Sequence, residues 1–74
     1  MELDSALQLA LKALGAKFIL RQEYGRNYLY ISWHSNREAN GETIKSIKKA
    51  VKNYYPTARN TLIPHIEGLA YLIN

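Results

Sequence analysis

The sequence predicts an α+β fold in the order αββαββ: a two-layer sandwich with a four-stranded antiparallel sheet and both helices on one face. Three observations point there. Apolar residues recur at helical spacing in two separate stretches, 3–14 and 44–54. Strand-like alternation fills residues 17–34 on either side of a glycine turn. A second apolar pair of segments, 61–66 and 69–73, is divided by Glu67-Gly68.

The first helix is expected over residues 5–14. Leu3, Leu7, Leu11 and Leu14 share one face, with Ala6, Ala10 and Ala13 beside them. Ser5 and Gln8 fit a capping box, Asp4 adds negative charge at the start, and Gly15 suits the position just past the end. The first hairpin follows. Gly25-Arg26 is a Gly-X pair suited to a type II′ turn. That turn would set Leu20 opposite Ile31, Phe18 opposite Trp33 and Arg21 opposite Tyr30. The other side would carry Lys17, Ile19, Arg21, Tyr28, Tyr30, Ser32 and His34.

Residues 35–41 read as a polar connection, in which Ser35-Asn36-Arg37-Glu38 is an alternative helix start. The second helix presents Ile44, Ile47, Val51 and Tyr54 as its apolar stripe and ends at Tyr55-Pro56. In the second hairpin Pro64 cannot donate to a ladder, so its strand belongs at an edge. Leu69–Ile73 is apolar on both sides, as a central strand would be. One core is expected from Leu7, Leu11, Phe18, Leu20, Leu29, Ile31, Trp33, Ile44, Ile47, Val51 and Tyr71.

Two helix–strand–strand units around a pseudo-dyad resemble a circularly permuted ferredoxin-like domain, with the first strand of a βαββαβ order moved to the C-terminus. The second and fourth strands are then central and the third lies at an edge. The competing layouts are an αβββα domain of the double-stranded-RNA-binding type, which lacks its last helix here, and an open αββ dimer. The resemblance concerns topology only and implies no activity.

Seventy-four residues make one domain, 1–74, with a small core that a partner or a second copy would help to stabilise. There is no cysteine, so disulfides and thiolate metal sites are excluded, and a cytoplasmic setting is the simplest expectation. No apolar run is long enough to span a bilayer, and Met1-Glu2-Leu3-Asp4 does not read as a signal peptide, so no membrane partner is expected. The formal net charge is +4.

The most pointed feature is a lysine stripe. Lys45, Lys48, Lys49 and Lys52 recur at i, i+3, i+4, i+7, and from Thr43 to Arg59 there are five basic residues and no acidic one. A helix face that cannot neutralise itself through i,i+4 pairs suits a polyanion. With Arg59 these lysines are the expected phosphate contacts of a small nucleic-acid-binding protein, RNA or DNA; a solubilising face is the plain alternative. Tyr28, Tyr30 and Arg21 form a second expected nucleic-acid surface on the outer sheet face, where aromatic rings flanked by cations can stack bases. The plain alternatives there are an Arg21–Tyr30 cation–π pair, or an apolar patch of Ile19, Tyr28, Tyr30, Ile63 and Leu72 that makes a homodimer.

Catalytic chemistry finds little support. His34 and His65 have no metal-ligand spacing, so neither a metal nor a cofactor is expected. His65 and Glu67 share a strand face, but no serine has a nucleophile context and no glycine-rich phosphate loop is present. A non-enzymatic protein is therefore expected, with a small hydrolase the weakest reading. Alongside nucleic-acid binding stands a protein-interaction module, an adaptor or an inhibitor of a larger complex, of phage or mobile-element type.

Overall fold

A computed structural model describes residues 2–33, 41–61 and 68–73. Its elements are α1 (Ser5–Ala13), β1 (Ala16–Glu23), β2 (Arg26–Trp33), α2 (Gly41–Tyr54), β3 (Arg59–Thr61) and β4 (Leu69–Leu72). The four strands form one antiparallel sheet in the order β1-β2-β4-β3. The two strands that are apolar on both sides, β2 and β4, are the central ones.

Asp4, rather than Ser5, caps α1. Its Oδ1 accepts hydrogen bonds from the N–H groups of Ala6 at 2.9 Å and Leu7 at 3.4 Å. Gln8 is therefore one residue too late for a capping box, and its Nε2 donates to the Leu3 carbonyl instead, at 2.8 Å. The Asp4 N–H, which a capping box would satisfy locally, donates to the Tyr55 hydroxyl across 2.9 Å. That bond ties the start of α1 to the end of α2. Tyr55 thus takes the docking role expected of Tyr54, which is 42% exposed.

The first hairpin turns at Tyr24-Gly25, one residue earlier than the Gly25-Arg26 turn expected from sequence. Tyr24 has φ 53° and Gly25 φ 73°, so both central residues are left-handed, as a type I′ turn requires. The register moves by two: Phe18 faces Ile31, Leu20 faces Leu29 and Arg21 faces Tyr28, while Ala16 takes the place opposite Trp33. A shift of two preserves which side each residue faces.

The core lies between the helices and one sheet face. Leu7 and Leu11 of α1, Ile47 and Val51 of α2, Leu29 and Ile31 of β2 and Tyr71 of β4 are fully buried together. Phe18 and Leu20 pack at its margin, and Leu3, Ala16, Ala58 and Ile73 complete it. Ile44 is half-buried on the same helix as Ile47. Burial lifts the Tyr71 phenol above its usual pKa by desolvation. Gly68 permits the chain to enter β4: its φ is 151°, and a Cβ there would lie 2.2 Å from the Ile31 carbonyl oxygen. The side chain of Trp33, and residues 34–40 and 62–67 with the expected Pro64 edge and the His65–Glu67 pair, lie outside the described residues.

Candidate nucleic-acid interface

Helical geometry places Lys45, Lys48, Lys49 and Lys52 within about 100° of arc, turned away from Ile47 and Val51. All four are exposed. Glu42 in the first turn is the only acidic residue in α2. Among the described residues the one ion pair is Arg21 with Glu23, at 4.0 Å, so no described carboxylate pairs with this stripe. The four lysines are not equivalent, however. The Lys52 Nζ donates to the Ala58 carbonyl and thereby fixes the connection from α2 to β3. Among the described residues Lys45, Lys48 and Lys49 make no such bond and form the free part of the stripe.

Arg59 does not join them. It opens β3 opposite Leu72, and Leu72 in turn faces Tyr28 on the side of the sheet away from the helices. The structure therefore does not bring Arg59 and the lysines together on one face. The alternation of a short strand, begun two residues earlier than the Thr61 start read from sequence, decides its side.

The outer face consists of two complete rows across the sheet. One runs Arg21, Tyr28, Leu72, Arg59 and the next Ile19, Tyr30, Ala70, Thr61. Lys17 and Ser32 begin a third row, and Glu23 with Arg26 stands beside the turn. Tyr28 and Tyr30 lie with ring centroids 6.4 Å apart and planes at 32°. The Arg21 guanidinium carbon sits 5.9 Å from the Tyr30 ring centre, so the expected cation–π pair forms, although diagonally and not between directly opposed residues. Ile19 is 57% exposed on this face.

An open depression of about 860 Å³ follows β1 and is lined by Lys12, Ala16, Lys17, Phe18, Ile19, Arg21, Tyr30, Ile31 and Ser32. Its lining draws on both sides of β1, with Phe18 and Ile31 on the helix side and Ile19 and Tyr30 on the other. It therefore wraps an edge of the sheet and is not an enclosed chamber. Its charged residues are all cationic. The chain matches no protein-family model, no curated protein and no solved structure. Among the described residues no three potential metal ligands cluster, and no helix is long and apolar enough to cross a membrane.

Proposed function

We propose that this chain is a small, non-enzymatic nucleic-acid-binding protein that holds phosphates through the free lysines of α2. The observation that carries this reading is the exposed row of Lys45, Lys48 and Lys49, without a carboxylate partner among the described residues. Lysine supplies a flexible point charge, which suits backbone contact without sequence readout. The same proposal takes the strand order β1-β2-β4-β3 as support for a circularly permuted ferredoxin-like arrangement.

The test is a triple Gln substitution at Lys45, Lys48 and Lys49. Lys52 is left in place because its bond to Ala58 is structural. Gln and Lys have similar helix propensity, so stability should hold. Affinity for oligonucleotides of every sequence should fall together, and the salt slope should shrink by about 0.7–0.9 for each lost contact. Unchanged affinity and slope would reduce the stripe to a solvated face.

A second reading, a homodimer that pairs through the outer sheet face, rests on the exposed Ile19 beside the half-buried Tyr28 and Tyr30. Sedimentation equilibrium tests it directly, since a monomer at high concentration removes the homodimer.

A further inference from the structure

We infer that the open sheet face is a stacking platform for single-stranded nucleic acid, with Tyr28 and Tyr30 receiving bases and Arg21, Arg59 and Lys17 receiving phosphates. This inference rests on the nucleic-acid reading above and adds a base-contacting surface, on the sheet, to the phosphate contacts of the helix.

Three observations carry it. The first is the electrostatic balance. Lys17, Arg21, Arg26 and Arg59 stand on this face against Glu23 as its single carboxylate among the described residues. A second copy docking by a two-fold axis would bring two cationic faces together, which opposes pairing; a polyanion is complementary to it. The second is geometry. Successive bases in a duplex strand are about 3.4 Å apart. The tyrosine centroids are 6.4 Å apart, so bases stacked on both must be spread along an extended strand. A closed duplex cannot present its base faces to a sheet, whereas an unpaired strand can.

The third observation is continuity. Arg21 and Arg59 occupy the two ends of one row, on opposite edge strands, so a strand crossing Tyr28 meets a cation on either side. Arg59 directly follows Ala58, whose carbonyl receives the Lys52 ammonium. The lysine stripe and the sheet face therefore meet at the β3 edge, and one backbone can pass from one to the other. Arg21 already lies near the Tyr30 ring, so it can flank a stacked base there by cation–π contact.

The experiment is fluorescence anisotropy with a labelled oligothymidylate of roughly twelve nucleotides, a length one small domain can cover, and with a duplex of equal length. Single strand should bind more tightly than duplex. Tyr30→Leu should weaken single-strand binding by about 5- to 150-fold, the range for loss of one stacked base, and leave the salt slope unchanged. Tyr30→Phe should retain affinity, because the ring and not the hydroxyl stacks. Arg59→Gln, an edge substitution that leaves the core intact, should lower the slope by about 0.7.

Equal or tighter binding of duplex would overturn the inference. So would Tyr30→Leu and Arg59→Gln proteins that bind single strand like the parent. If the lysine variant loses binding in that same case, the phosphate reading survives and only the sheet platform falls. A sheet-face dimer dissociated by Ile19→Arg would also overturn it. Absence of binding to either oligonucleotide would remove both readings.

Discussion

Replacing Gly68 with alanine should be among the most damaging single-methyl changes in this protein. The added Cβ would lie 2.2 Å from the Ile31 carbonyl oxygen, well inside the 3.0 Å that real Cβ contacts keep. Ile31 cannot retreat. It pairs with Phe18 on one side and Leu69 on the other, and its side chain is fully buried in the core. Relief must come from β4 moving away from β2, which disturbs Tyr71 directly behind. Overpacking of this kind costs about 1–3 kcal/mol, and the φ of 151° adds backbone strain of about 1–3 kcal/mol for any side chain. A loss of roughly 2–6 kcal/mol is large against the roughly 4–11 kcal/mol expected of a 74-residue domain. The control is Gly25→Ala, where φ is 73° but nothing lies within 4 Å. It should lose only the left-handed penalty of about 1–2 kcal/mol. Urea unfolding followed by far-UV circular dichroism compares the two. If Gly68→Ala loses no more than Gly25→Ala, the close approach of the two backbones is wrong.

Three further outcomes follow from local structure. Tyr24 holds a left-handed φ of 53° while 97% exposed, so Tyr24→Asn should raise the melting temperature, with a gain of about 0.5–1 kcal/mol and no lost contact. Asp4→Ala removes the α1 cap and should cost about 0.5–2 kcal/mol in urea unfolding, whereas Ser5→Ala should cost less. Tyr71 is neutral and buried, and its folded pKa stands above the unfolded value near 10. Its contribution is complete below about pH 10 and is lost as pH rises through the folded value, so stability should fall in strong alkali. Tyr71→Phe should flatten that fall, and an equally steep alkaline loss in the variant would refute the assignment.

Much of this arrangement is legible in the residue pattern, and the reasons for its failures are specific. Leu7, Leu11, Leu29, Ile31, Ile47 and Val51 declare themselves through period and are all buried. The hairpin shows the limit of that signal. Alternation has a period of two, so a two-residue slip leaves each face correct while every partner changes. The turn type alone fixes the partners, and it required a tyrosine to adopt a conformation that tyrosine disfavours. Tyr54 and Tyr55 both lie near the helix stripe. Tyr55 docks because its hydroxyl can accept the Asp4 N–H, a contact between residues 51 positions apart that no local pattern encodes.

The candidate site divides in the same way. The lysine stripe is readable because helix geometry places all four residues without reference to the rest of the fold. The retention of Lys52 by Ala58 is not, since it depends on how the chain leaves α2. The side of the sheet that Arg59 takes is not readable either, because β3 begins before the apolar run that marks it. Its true neighbours, Leu72 and across it Tyr28, emerge only from the register of three strands.

The central claim, phosphate contact by the exposed lysine face, is tested most directly by measuring oligonucleotide affinity of the unaltered protein at two salt concentrations. Three phosphate contacts predict a slope of about −2.1 to −2.7, and hence a loss of roughly 20- to 40-fold between about 50 and 200 mM salt. Single-stranded and duplex oligonucleotides should both show the dependence, with the single strand bound more tightly. No measurable binding at the lower salt, or an affinity indifferent to salt, would contradict the account.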